Sequence, residues 1–177
     1  METEKLLPEI MAQFALDPHG LHGLPHWARV LENALCLARD TDVNPEVLEL
    51  FAILHDSRRI SDGEDGDHGR RSGEFAVHCR DLGYKLDDDD FERLHTAIVG
   101  HNKCCADPGD ETIRICWDAE RLDLPRLGLT ARPNAMHTEA ARDKSIREWA
   151  GKRSRHGHVP KLVETRWALD QMAGYGG

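Results

Sequence analysis

A histidine followed directly by an aspartate, His55-Asp56, ends an otherwise apolar stretch of the sequence. Leu48, Phe51 and Ala52 precede His55 at the spacing i, i+3, i+4 and i+7, which predicts that the imidazole lies on the core-facing side of a helix. An imidazole and a carboxylate buried without partners would cost several kcal/mol, on the order of the penalty for unpaired polar groups. A metal ion bound by both side chains is the simplest compensation.

Other apolar stripes also carry one polar group each. A lone histidine on an apolar face is more often a satisfied core residue than a ligand, but several such groups together with two carboxylates are hard to satisfy independently. Their convergence on one buried polar site is the more economical interpretation. The groups concerned are His26, His55 with Asp56, His68, His101 and Asp118.

Helices are the elements that must position these groups, because the apolar residues keep a helical period and no convincing strand pattern occurs. The fold class predicted is an all-α, single-domain helical bundle over residues 1–177. Its core spans about 20–130, and C-terminal helices lie within about 135–173. Predicted helices cover 3–15, a segment that begins near 22 or 26 and ends at about 39, 45–55, a segment opening at 68, a segment after the acidic run 87–90, a segment within 109–128, about 135–150 and about 160–173. The basic stretch 151–158 is either a solvated loop or a flap that binds an anion.

Composition narrows the class of function. With 177 residues, 40% hydrophobic and 31% charged, the chain is long enough for one core, and its formal net charge of -9 argues against a nucleic-acid polymer as partner. A small anionic substrate held by a few local cations is compatible with this charge. No apolar run suits a membrane span, and the N-terminus does not resemble a secretory signal, so we expect no membrane partner and a cytoplasmic location. Homo-oligomer formation is left open.

The five cysteines are odd in number and contain no C-x-x-C pair, which argues against a disulfide framework or a cysteine zinc site.

Three segments, HWARV at 26–30, AILHD at 52–56 and CWDAERLDL at 116–124, occur in the order H…HD…D. This pattern resembles the HD-domain superfamily of metal-dependent phosphohydrolases over about residues 20–130. The resemblance implies an HD-type helical fold and a metal site formed by His26, His55, Asp56 and Asp118. The intervening segments DHGRRSGEFA and TAIVGHNKC resemble histidine-bearing helices of small HD proteins, which implies that His68 and His101 contact substrate or a second metal.

Two imidazoles and two carboxylates without a thiolate suit Mn, Fe, Co, Ni or Zn and, less well, Mg. Such a divalent ion lowers the pKa of a bound water and so generates a nucleophile. His68 and His101 are also candidate proton donors, since an imidazole titrates near neutral pH.

Positive charge is still needed to hold a phosphoryl group. The candidates are Arg58 and Arg59 directly after the HD pair, Lys103 after His101, and Arg121 one turn from Asp118. Arg59 is the preferred phosphate contact, because it leaves the helix into the adjoining loop.

The expected function is metal-dependent hydrolysis of a small phosphorylated metabolite, a nucleotide or related phosphoester. Two alternatives stay open. A second metal at His68 and His101 would favour a di-iron oxygenase of the HD type, and a protein without turnover would be a metal-bound regulatory module.

Overall fold

The computed structural model describes residues 3–81, 84–103, 106–165 and 167. Within these residues the secondary structure is entirely helical, as the sequence predicts. The helices are α1 (Thr3–Ala12), α2 (Leu24–Leu37), α3 (Pro45–Leu54), α4 (His68–Asp81), α5 (Asp88–Gly100), α6 (Glu111–Arg121), α7 (Glu139–Arg142), α8 (Lys144–Arg155) and α9 (Leu162–Thr165). Short 3-10 turns cover Leu124–Leu127 and Pro133–Ala135. No described helix is long and apolar enough to cross a lipid bilayer.

Helix α3 is the central element of the bundle. Asn44 caps it by accepting a hydrogen bond from the N–H of Glu46, and Pro45 occupies the first turn, where a missing N–H costs nothing. Every residue from 47 to 54 is buried, so α3 is covered on all sides rather than on one stripe. Helices α2, α5 and α6 pack around it. The chain leaves α3 at His55, in the interior of the bundle.

Helices α4 and α5 approach each other closely because α4 presents glycine to α5. A Cβ atom added at Gly73 would lie 2.5 Å from Cγ2 of Val99, and one added at Gly69 would lie 3.1 Å from the carbonyl oxygen of Ile98. Each glycine costs the isolated helix about 1 kcal/mol relative to alanine. The close packing of α4 on α5 brings the beginning of α4 next to the end of α5.

The C-terminal region differs from the predicted pair of helices. Asp143 has an extended backbone (ψ 132°) and its carboxylate accepts hydrogen bonds from the N–H groups of Ser145 and Ile146. This cap divides the predicted helix 135–150 into α7 and α8. Helix α8 then continues to Arg155, so most of the stretch 151–158 is helical rather than a loop. Of the predicted helix 160–173, the structure describes α9, and residues 168–177 lie outside the described part.

Candidate metal centre

Asp56 lies among four histidine side chains. Its Oδ2 is 3.6 Å from Nε2 of His26 and 3.8 Å from Nε2 of His55. Its Oδ1 is 3.2 Å from Nε2 of His68 and 3.6 Å from Nε2 of His101. All five residues are buried. They form two groups with metal-ligand spacing, and Asp56 belongs to both.

The four histidines stand at the ends of four different helices. His26 is in the first turn of α2, His55 directly follows α3, His68 begins α4 and His101 directly follows α5. The helices point these ends toward a common region of the bundle. The structure therefore brings together every histidine that the apolar stripes singled out.

Hydrogen bonds at Nδ1 fix the tautomers of two of these imidazoles. Nδ1 of His55 lies 3.1 Å from the carbonyl oxygen of Phe51 and 3.0 Å from that of Ala52, and Nδ1 of His101 lies 2.7 Å from that of Ile98. A carbonyl oxygen only accepts, so Nδ1 carries the proton in both rings. The Nε2 atom of each ring then faces the cluster.

The other two imidazoles follow the same rule. Nδ1 of His68 donates to the carbonyl oxygen of Asp65, and Nδ1 of His26 donates to the carboxylate of Asp123 at 2.7 Å. The Nε2 atoms are 3.1 Å apart in the pair His26–His55 and 2.9 Å apart in the pair His68–His101. In the neutral pair His26–His55 two lone pairs face each other at this distance, and they repel unless an electron acceptor lies between them. The donor set therefore fits a divalent cation.

The protonation states agree with ligation. Burial lowers the pKa of His26 to about 4 and lowers that of His55 well below its ordinary value, so both rings are neutral at pH 7. Burial alone would raise the pKa of Asp56, but the surrounding imidazoles, His55 foremost, hold it well below its usual range. Asp56 is therefore a carboxylate, which is the form that binds metal.

Asp123 contacts His26 on the side of the ring that faces away from the cluster. Besides the bond from His26, its carboxylate accepts hydrogen bonds from Nε and Nη2 of Arg29 at 2.7 and 3.0 Å. Burial opposes the charge, yet the bonds from His26 and Arg29 hold the pKa of Asp123 well below its ordinary value. Metal-binding histidines typically donate their second N–H to such a carboxylate.

Asp118 does not join the cluster, contrary to the predicted four-ligand set. Its carboxylate is fully buried and accepts hydrogen bonds from the N–H groups of His137 and Thr138, at 3.0 and 2.7 Å, and from the Thr138 hydroxyl at 2.9 Å. These bonds use the oxygen atoms that a metal would need. The structure thus places Asp118 at the segment around residue 137 and Asp123 at His26, one of the candidate metal ligands.

Comparison with known proteins addresses the fold. No family model matches the chain, and no curated protein is significantly similar. Among solved structures, it is similar to a predicted HD superfamily hydrolase from an uncultured Thermotogales bacterium, with 24% identity and a TM-score of 0.61 over 97% of this chain and 92% of that one. The chain has an HD-type fold. The predicted all-α, HD-type helical bundle is thereby confirmed.

A cavity of about 710 Å³ opens onto the histidine and aspartate cluster. Asp56, His68 and His101 lie on its wall, together with His22 and the predicted cations Arg59, Lys103 and Arg121. Arg126 and Arg142, which the sequence did not single out, also line it. Leu124, Leu127, Ala135 and Met136 add an apolar section. The cavity thus combines a metal-binding end, several cations and an apolar wall.

Arg59 is tied to the cluster. Its Nη1 lies 3.3 Å from Nε2 of His68 and 3.9 Å from Oδ1 of Asp56, while Nε and Nη2 donate to the carbonyl oxygens of Ser61 and Gly63. The loop that follows the HD pair therefore fixes the guanidinium beside the carboxylate.

Arg58 is not part of the cavity, contrary to its predicted role in substrate binding. Its guanidinium lies 4.9 Å from the ring centroid of Phe75 and donates to the carbonyl oxygen of Gln13 at 2.9 Å. The turn after α3 points the two adjacent arginines to different places. Arg58 connects the residue after α1 with α4, and Arg59 faces the candidate metal ligands.

Glu120 is a further carboxylate in this cavity, and the sequence did not single it out. It lines the cavity with Asp56 and His101. Burial raises its pKa, against the nearby positive charge of Arg126, whose Nη1 is 3.9 Å away. Its position in the chain was one signal. Residues two apart in a helix lie on different faces, so Glu120 faces a different direction from Asp118.

Proposed function

We propose that the chain is a metal-dependent hydrolase of a small phosphorylated metabolite, a nucleotide or a related phosphoester. The observation that carries the proposal is the convergence of four imidazole Nε2 atoms on the carboxylate of Asp56, at the end of a cavity lined by cations. The similarity to a predicted HD superfamily hydrolase supports hydrolysis as the reaction class.

Two sets of residues would hold metal. His26, His55 and Oδ2 of Asp56 form the first set, and His68, His101 and Oδ1 of Asp56 form the second. A bound divalent ion supplies Lewis acidity toward water and toward a phosphoryl oxygen. The Nδ1 hydrogen bonds keep the rings oriented before metal and substrate arrive, which reduces the reorganisation that binding requires.

The cations of the cavity would bind the substrate's anionic group. Arg59 is held beside Asp56 by the carbonyl oxygens of its own loop, so its charge is fixed near the metal-binding end. Arg121 and Lys103 line the same cavity. Cations placed where negative charge develops stabilise a phosphoryl-transfer transition state. The apolar wall near Leu124 and Met136 would contact the organic part of the substrate.

A phosphate-release assay tests the proposal. Purified protein is supplied separately with Mn, Fe, Co, Ni, Zn and Mg and is given nucleoside monophosphates, nucleoside triphosphates and simple phosphoesters. We expect turnover with at least one metal, its loss in Asp56→Asn, and its retention in Arg58→Ala, whose side chain lies outside the cavity. Absence of turnover with every metal and substrate, or full activity in Asp56→Asn, would contradict the proposal.

A second candidate is a di-iron oxygenase, favoured by the division of Asp56 between two histidine pairs. One carboxylate whose two oxygen atoms face separate ligand pairs is suited to two metals. Metal analysis and oxygen consumption distinguish this candidate: two irons per chain with substrate-dependent oxygen uptake would support it, and one metal per chain with phosphate release would favour the hydrolase.

A further inference from the structure

One wall of the cavity is formed by a segment with little secondary structure of its own. The segment 133–142 contains one 3-10 turn and the single-turn helix α7, yet it contributes Met136, His137 and Arg142 to the cavity. Asn134 and Ala135 also line the cavity from this segment. Short irregular segments need attachment to a rigid element to hold a defined position.

Asp118 provides that attachment. It lies in the middle of α6 and is fully buried. Its carboxylate accepts hydrogen bonds from the N–H groups of His137 and Thr138 and from the Thr138 hydroxyl. The same hydroxyl accepts a hydrogen bond from the N–H of Ala141 at 3.1 Å. Thr138 is the cap of α7, so the bonds on Asp118 fix the beginning of that helix. Charge-assisted bonds of this kind are about twice as strong as neutral ones.

Neighbouring residues of α6 contact the same segment. The ring of Trp117 packs on the ring of His137 with centroids 5.7 Å apart, and the guanidinium of Arg121 lies 5.8 Å from the Trp117 ring. Two adjacent residues of α6 thus hold the segment 133–142: Asp118 through its carboxylate and Trp117 through a ring contact with His137. Nε2 of His137 is buried and has no hydrogen-bond partner in the described part of the chain, which leaves a polar atom for a ligand.

We propose that Asp118 is a positioning residue for substrate binding: it anchors the segment 133–142 and thereby sets where Met136, His137 and Arg142 meet the substrate. The proposal rests on the hydrolase function proposed above. Since the metal-binding groups belong to other helices, loss of the anchor should weaken substrate binding while the metal stays bound. If Asp118 were instead a metal ligand, as the H…HD…D pattern suggested, its substitution would release the metal.

Kinetics and metal analysis of three variants test the proposal. Asp118→Asn replaces one acceptor oxygen by a donor that faces the N–H groups, Thr138→Val removes the hydroxyl, and Thr138→Ser keeps it. We expect KM to rise by about tenfold in the first two, with kcat changed less than about threefold and metal content as in the wild type. Thr138→Ser should keep the wild-type KM. Asp110→Asn is the matched control, because Asp110 caps α6 without touching the segment.

Loss of metal from Asp118→Asn would overturn the proposal, and so would an unchanged KM in both anchor variants. Amide hydrogen exchange gives a readout that needs no turnover. Faster exchange at residues 136–139 in Asp118→Asn, with metal content preserved, supports the anchor, and unchanged exchange refutes it. A wild-type protein without phosphate release would refute the hydrolase function, while exchange and metal content would still decide the role of Asp118.

Discussion

His26 and Asp123 are joined by a hydrogen bond of 2.7 Å between Nδ1 and Oδ2, and the opposite ring nitrogen of His26 lies 3.6 Å from Asp56. The carboxylate of Asp123 therefore fixes the ring orientation that presents Nε2 to the cluster. The same carboxylate pairs with Arg29, whose Nη1 donates to the carbonyl oxygen of His158. Asp123 thus connects the metal-binding region with the end of α8.

Asp123→Asn should weaken metal binding while the fold is retained. The amide keeps one acceptor but loses the charge that orients His26, and loss of such a partner typically reduces metal affinity by roughly 10- to 100-fold. Isothermal titration of the metal-free protein with Mn measures the change, with Asp110→Asn as the control. Unchanged affinity would show that Asp123 serves Arg29 alone.

Removal of metal should lower the thermal stability of the protein. The facing lone pairs of His26 and His55 repel in the metal-free state. A ligand that binds only the folded state at about 100 times its Kd adds about 2.7 kcal/mol to the free energy of unfolding. Calorimetry with and without a chelator measures the shift in Tm. His55→Ala should lose most of this shift. A wild-type Tm that does not respond to chelation would argue against a resident metal.

Gly73→Ala should destabilise the fold by about 1–3 kcal/mol, despite the better helix propensity of alanine. The added methyl would lie 2.5 Å from Cγ2 of Val99, and a β-branched side chain has little rotameric freedom in a helix. Urea unfolding measures the free energy of unfolding. Gly66→Ala is the control, since nothing lies within 4 Å of a Cβ atom there. Equal stability of the two variants would contradict the close packing of α4 on α5.

Acidification should destabilise the wild type more than His137→Gln. Burial, together with Arg121, lowers the pKa of His137 below its unfolded value of 6.5. A histidine with a lowered folded pKa binds its proton more readily when unfolded, so its contribution is complete above the unfolded pKa and declines as pH falls below it. Urea unfolding of both chelated proteins at about pH 7.5 and about pH 5.5 isolates this contribution, because the other histidines are common to both. If the free energy of unfolding falls by the same amount in both proteins, His137 makes no such contribution.

The sequence was informative wherever a polar group interrupted an apolar stripe. His55, His68 and His101 each lie at a helix end next to core residues, and the helical period alone placed them on buried faces. Their convergence follows because helices of one bundle must share a core. The predicted all-α class depended on the same periodicity.

The carboxylates in α6 and just after it could not be assigned in this way. Asp118, Glu120 and Asp123 lie within six residues of one another, and the rotation of α6 against α2 and α3 decides which of them reaches the cluster. Asp118 does occupy a buried face, but its partners come from residues 137 and 138, which are distant in sequence. Arg58 and Arg59 pose the same difficulty. They are adjacent in sequence, but the turn after α3 directs their side chains to different places. The break at Asp143 did have a local signal, an aspartate followed by Lys144 and Ser145 at a helix start.

The candidate metal centre consists of two groups of ligands that are carried by different pairs of helices. One half, His26 and His55, is carried by α2 and α3, and the other, His68 and His101, is carried by the glycine-spaced pair α4 and α5. Asp56 lies at the boundary between them. A substitution that widens the spacing of α4 and α5 should therefore change the number of metals bound per chain without disturbing the first half. One bundle of this kind could be tuned between mononuclear and dinuclear chemistry by residues that never touch a metal.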